Sequence, residues 1–127
     1  EFRRVLFRSE MVTLRVENAA TRFTNRYREG QVLRIPVAHG DGRFTIAEDG
    51  LRALEDAGQV VFRYANAAGE IVPEANPNAS LDNIAGIVSA RGNVLGMMPH
   101  PERAMDARLG SSDGVALFES MLATVSA

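Results

Sequence analysis

The chain of 127 residues contains no cysteine. That absence excludes disulfides, thiolate metal sites and any cysteine nucleophile supplied by these residues. No apolar run approaches the roughly 20 residues that a membrane-spanning helix needs, and no secretory hydrophobic region is present, so a cytoplasmic protein is the default expectation. A large excess of charge of one sign is missing too. Fourteen Lys and Arg against 16 Asp and Glu leave a formal net charge of −2, which gives no electrostatic case for nucleic acid or for an anionic membrane. Repeats and low-complexity segments are absent. Asn78-Ala79-Ser80 matches a glycosylation sequon, but without an export signal it reads as a turn. What is present suits one packed domain: 46% hydrophobic and 24% charged residues provide an ordinary core and an ordinary surface.

The first nine residues, EFRRVLFRS, place three arginines among bulky apolar residues with no cap and no clean period. They are set aside as a non-native leader, in preference to a basic amphipathic anchor, and residues 10–127 are taken as the domain portion. From Met11 the pattern turns regular. MVTLRVE alternates Val12, Leu14 and Val16 with polar residues, the period of a half-buried strand. QVLRIPVA (31–38) predicts a second strand, with Pro36 marking an edge or a strand end. Glu48 to Ala57 predicts a short helix with acids in its first turn, Leu51 and Leu54 on one face and Gly58 as its stop. QVVFRYA (59–65) predicts a central strand. IVPEANPNAS is loop. IAGIV and NVLGMM, joined by SARG, predict a hairpin with Gly92 at a positive φ, and Gly86 and Gly96 inside those strands point to a bulge or a close backbone approach. Ser111 and Ser112 offer N-caps to a final helix whose apolar face would be Val115, Leu117, Phe118, Met121, Leu122 and Val125. The result is an α/β piece, and two helices are too few to cover five strands well. That shortfall predicts a truncated domain.

The chemistry concentrates in GMMPHPERAM (96–105). Prolines at 99 and 101 push Met98 and His100 towards extended backbone, which places the side chains of His100 and Glu102 on similar sides, within reach of each other. A carboxylate on one imidazole nitrogen sets the tautomer and leaves the other to act as base or acid. Pro101 has no N–H to compete for that carboxylate. Such a pair is two members of a nucleophile–His–acid triad, and the third must be Ser, Cys or Thr. The plainer alternative is a stiff proline turn that happens to hold a histidine. His100-x-Glu102 also matches half of a zinc deaminase signature, but the other half needs two cysteines. A metal site from His39, Asp41, His100 and Glu102 lacks any helical i, i+4 ligand pair, and no metal is expected. AHGDG (38–42) is the second polar cluster. Its glycines would let backbone N–H groups face a ligand carboxylate or phosphate, unless it is only a glycine-rich connection. Arg103 is expected on the surface or at a helix start.

VTLRVEN, IPVAHGDG, NPNAS, IAGIVSARGNVLGMMPHPERA and DGVALFESML stand in that order over Met11 to Leu122. Together they resemble the C-terminal half of the glutaminase subunit (purQ-type) of phosphoribosylformylglycinamidine synthase, a class I glutamine amidotransferase. The resemblance implies the C-terminal part of a flavodoxin-like α/β domain, a mixed sheet with flanking helices whose N-terminal portion is missing. It implies hydrolysis of glutamine through a Cys–His–Glu triad in de novo purine biosynthesis. Ammonia would pass to an ATP-dependent synthetase partner that converts formylglycinamide ribonucleotide to its amidine. The family's histidine and glutamate fall on His100 and Glu102. By resemblance to related amidotransferases, His39, Gly40 and Asp41 would lie near the glutamine pocket or the partner face. The implied partners are the synthetase subunit and a small accessory subunit; ATP and magnesium would be used by the synthetase, with no cofactor on this chain. The family's cysteine lies upstream of VTLRVEN and is not in these residues, so the chain alone should be inactive. Ala79 stands where the family would have glycine.

Three alternatives accompany that expectation. One is the glutaminase part of another class I amidotransferase. Another is a non-enzymatic α/β interaction module in which His100 and Glu102 stiffen a turn. The last is a serine hydrolase using Ser111 or Ser112, although neither sits in a Gly-x-Ser-x-Gly elbow.

Overall fold

The computed structural model describes residues 9–38, 44–77 and 79–126. Five strands form one sheet: β1 (Ser9–Val16), β2 (Val32–Ala38), β3 (Val60–Tyr64), β4 (Ile84–Val88) and β5 (Leu95–Met97). Helix α1 (Glu48–Asp56) links β2 to β3, and α2 (Val115–Ser126) follows the site segment. The sheet order is β2-β1-β3-β4-β5, which puts the Pro36 strand at an edge and QVVFRYA at the centre, as their sequences predict. Each neighbouring pair is antiparallel. The mixed sheet expected from the resemblance is therefore not found among the described residues. β2 and β3 do run the same way, but β1 lies between them, so the α1 crossover joins no neighbouring parallel pair.

Alternation decides which residues become core. In β1, Val12, Leu14 and Val16 are buried while Thr13 and Arg15 stay half-exposed. Leu33 and Ile35 of β2 and Phe62 and Tyr64 of β3 complete a core whose largest side chains are out of solvent. Each such burial is worth roughly 1.5–3 kcal/mol. Tyr27 closes one side, its ring edge-on to Phe62 at 6.3 Å. Gly92 takes φ +75 in the hairpin turn, and Gly58 takes φ +69 just past α1. At Gly86 a Cβ would sit 2.9 Å from the Phe62 ring, next to a register shift between β3 and β4, as a bulge-marking glycine should. Gly96 differs, with open space where its Cβ would be.

The α2 face departs from expectation. Leu117 is buried, but Met121, Leu122 and Val125 are exposed. The fully buried position is Ser120, whose hydroxyl donates to the Ala116 carbonyl at 2.7 Å and accepts from the Arg26 N–H at 2.8 Å. A small, satisfied polar residue lets the helix lie close to the 21–27 turn, and this turns the larger apolar side chains outward. In α1 no residue is fully buried, and Leu51 and Leu54 are half-covered. No helix of the described residues is long and apolar enough to cross a membrane.

The feature that makes the site is curvature. Met97 of β5 pairs with Gly86, and three residues later the His100 N–H donates to the Pro36 carbonyl of β2 at 2.7 Å. β5 and β2 are opposite edges of the sheet. Four inter-strand gaps in a flat sheet would separate them by about 19 Å, whereas three residues reach at most about 11 Å. Twist between strands has therefore curled the sheet until its two edges converge.

Candidate active site

The site lies at that convergence. Met98 still donates its N–H to the Ala85 carbonyl of β4 at 3.1 Å, Pro99 is fully buried, and His100 is extended at φ −108, ψ 92. Residues 101–103 then form a 3-10 turn, with Pro101 at the first position, where its fixed φ suits a helical start. Glu102 therefore reaches back to His100 from a turn and not along an extended segment. The contact forms all the same: His100 Nδ1 and Glu102 Oε2 are 3.1 Å apart. With the carboxylate ionised, Nδ1 carries the proton and donates it, and Nε2 is the ring nitrogen on the buried side.

Glu102 is exposed. A hydrogen bond to an exposed carboxylate adds little to stability, typically about 1 kcal/mol or less. The turn has its own bonds, Arg103 N–H to the His100 carbonyl and Ala104 N–H to the Pro101 carbonyl, each 3.0 Å. Stiffening the turn therefore does not require the His–Glu pair, which weighs against a purely structural role. Arg103 is exposed within the turn, as expected.

Beside the site runs an apolar cavity of about 300 Å³, lined by Phe44, Ile84, Gly86, Gly96, Met97 and Met98 among others. Its described lining residues carry no charged side chain. His39, Gly40 and Asp41 lie outside the described residues, as does Asn78 of the sequon. Ala38, which precedes His39, ends the strand whose Pro36 carbonyl holds His100. Among the described residues no group of three or more His, Cys, Asp or Glu could hold a metal ion. Ser111 is poorly placed for nucleophilic use, because its hydroxyl proton is donated to the Arg34 carbonyl at 2.7 Å.

Two polar networks escaped the sequence reading. In NPNAS, Asn76 donates to the Ser80 carbonyl at 2.8 Å and accepts the Ser80 N–H at 3.1 Å. Asn83 donates to the carbonyls of Tyr64 (3.2 Å) and Val72 (2.8 Å). Asn and Ser clusters signal such side-chain-to-backbone turns, but not which strand they serve. The other network joins β1, β3 and α1. Arg63 contacts Glu17 at 2.6 Å, Glu55 at 2.7 Å and Asp82 at 2.9 Å, while Arg15 adds a second bond to Glu17 at 2.6 Å. Burial would raise the Glu17 pKa, yet the hydrogen bonds from Arg15 and Arg63 outweigh it and hold the carboxyl below its ordinary value. Burial likewise pushes the Tyr27 hydroxyl well above the usual phenol range.

A curled antiparallel sheet with two helices is the fold of part of a glutamine amidotransferase domain. The chain belongs to the CobB/CobQ-like glutamine amidotransferase domain family, whose model matches residues 3–113. More narrowly, it is 56% identical over 117 residues to the phosphoribosylformylglycinamidine synthase subunit PurQ of Chlorobaculum tepidum, a match covering 92% of this chain and 50% of that protein. The PurQ subunit of Aquifex aeolicus is 52% identical, with 91% and 51% covered. A chain in the solved structure of PurLQS from Thermotoga maritima superposes with a TM-score of 0.75 at 39% identity, covering 94% of this chain and 48% of that one. The chain thus spans about half the length of the curated relatives it matches.

Proposed function

We propose that residues 10–127 are the C-terminal portion of a glutaminase subunit that supplies ammonia for the conversion of formylglycinamide ribonucleotide to its amidine in purine biosynthesis. The observation that carries this is the 3.1 Å contact between His100 Nδ1 and Glu102 Oε2, at the convergence of the sheet edges, in a chain of the glutamine amidotransferase family. The match to PurQ subunits supports the pathway, and the match to PurLQS supports a partnership with a synthetase and a small accessory subunit. ATP and magnesium would belong to the synthetase, and the complex would work in the cytoplasm.

In this reading a cysteine in the other half of the protein attacks the glutamine amide carbon. His100 takes the thiol proton and returns it to the departing nitrogen, so that ammonia leaves and a thioester remains. Water, deprotonated by the same imidazole, then cleaves the thioester to glutamate and free thiol. Glu102 holds the Nδ1 proton and steadies the imidazolium as it forms. His39, Gly40 and Asp41 follow directly on the β2 strand that anchors His100, which favours a role for their loop near the glutamine pocket or the partner face.

The test uses the full-length subunit with its synthetase. His100→Ala should lower glutamine-dependent amidine formation by about 1,000-fold or more, whereas ammonia supplied from solution should still support it. Undiminished glutamine hydrolysis in His100→Ala would sink the reading. The breadth of the family match keeps one second reading, a glutaminase serving a different synthetase, and pairing the subunit with the formylglycinamide ribonucleotide synthetase separates the two.

A further inference from the structure

We propose that Asp113 and Gly114, at the start of α2, are positioning residues that hold the turn carrying His100 and Glu102; the proposal rests on the catalytic reading of that pair. The turn is pinned at both ends. His100 donates its N–H to the Pro36 carbonyl at 2.7 Å, and Gly114 donates its N–H to the Ala104 carbonyl at 2.8 Å. Between these pins, Gly114 presses its Cα against the turn itself. A Cβ at that position would overlap the Pro101 carbonyl oxygen, and it would lie 2.9 Å from the Pro101 carbonyl carbon and 3.1 Å from the Ala104 oxygen. All three are backbone atoms, so no change of rotamer relieves the contact. Pro101 is the residue between His100 and Glu102, and any displacement of it is delivered to both.

The start of α2 is itself fixed to the strand that holds His100. The Arg34 N–H donates to Asp113 Oδ2 at 2.8 Å, and the Ser111 hydroxyl donates to the Arg34 carbonyl at 2.7 Å. The Asp113 N–H closes that loop on Ser111 Oγ at 3.0 Å. The hydroxyl of buried Tyr27 donates to the Asp113 carbonyl at 2.5 Å. β2 is an edge strand, and residues 34 and 36 point their backbone groups the same way, outward from β1. Arg34 presents both a donor and an acceptor there; Pro36 presents only an acceptor, because it has no N–H. Asp113, Ser111 and His100 satisfy that row in turn. One edge therefore sets the height of both the imidazole backbone and the glycine that backs the turn.

Misplacing reacting groups by about 1 Å can cost on the order of 100-fold in rate. The experiment measures glutamine hydrolysis by the full-length subunit in its complex, per folded molecule. Gly114→Ala should lower kcat by about ten-fold or more while the glutamine KM stays within about two-fold, the pattern of an interaction needed in the transition state and not for binding. Asp113→Ala should lower kcat several-fold, and Asp113→Asn, which keeps an acceptor for the Arg34 N–H, should restore most of it. A folded Gly114→Ala complex with unchanged kcat overturns the proposal. If Gly114→Ala does not fold, the Asp113 series decides: Asp113→Ala as active as wild type, or Asp113→Asn as impaired as Asp113→Ala, also overturns it. His100→Ala, run alongside, separates the failures. Full activity there removes the catalytic reading, while loss there with unimpaired Gly114 and Asp113 variants removes only the positioning role.

Discussion

Ala79 sits at φ +59, a left-handed conformation that costs an L-residue roughly 1–2 kcal/mol. Glycine removes that cost, although its looser unfolded chain returns roughly 0.4–1 kcal/mol. Ala79→Gly should therefore stabilise the protein by about 0.5–1 kcal/mol, read as a higher urea midpoint at an unchanged slope. A lower midpoint would show that the left-handed backbone carries no strain here. Asn83 is the opposite case. It too is left-handed, at φ +57, but asparagine tolerates that region, and its amide is the donor for the Tyr64 and Val72 carbonyls. Asn83→Ala should cost about 2 kcal/mol in the same titration, since it strips two carbonyls of their partner; a loss under about 0.5 kcal/mol would mean that water replaces the amide. The contact between His100 and Glu102 was legible at this scale because they lie two residues apart beside prolines that restrict the backbone locally, although the turn that closes it was not. Gly114 was not. A glycine before an apolar helix reads as an ordinary cap, and the reason for it is a backbone carbonyl thirteen positions away in sequence.

Between elements, the Arg63 cluster ties β3 to β1 through Glu17 and to α1 through Glu55. Glu17 is the most enclosed acid of the group, with its side chain 13% exposed. Its pKa is lowered on folding from the ordinary 4.5, so the unfolded chain binds the proton more tightly. That stabilisation is complete above the unfolded value and is lost as pH falls through the lower folded value. Glu17→Gln should thus be less stable by about 2 kcal/mol at neutral pH. Its deficit should shrink once the pH drops below about 4.5, whereas a deficit constant with pH would mean that packing and not charge is responsible. Strands were legible because alternation is a local signal, visible in Val12, Leu14 and Val16. Their pairing was not. Nothing in the chain between Met97 and His100 declares that the two edges of the sheet meet there. The outer face of α2 was misjudged for a similar reason: periodicity marks the apolar side of a helix, but tight packing around Ser120 decides which side faces in.

At the scale of the whole molecule, the residues proposed to carry the chemistry and the residues that cover the sheet are differently supplied. His100, Glu102 and their supports at Pro36, Asp113 and Gly114 are all present. Large apolar side chains at Val94, Leu122 and Val125 are left in solvent, and the cavity beside β4 and β5 is apolar. Such surface is what a larger domain would cover, and the relatives are about twice as long. The nucleophile is governed by the same division. No cysteine occurs in the 127 residues, and Ser111 spends its proton on Arg34. A His–Glu pair can move protons, but it cannot form a thioester without a thiol. The purified 127-residue chain should therefore release no ammonia from glutamine above the rate of a His100→Ala control. Adding the remaining half of the subunit as a separate polypeptide should restore hydrolysis only when that half carries its cysteine. Ammonia release by the lone chain that disappears on His100→Ala would show that another nucleophile operates here, and it would break the assignment of the pair to a cysteine triad.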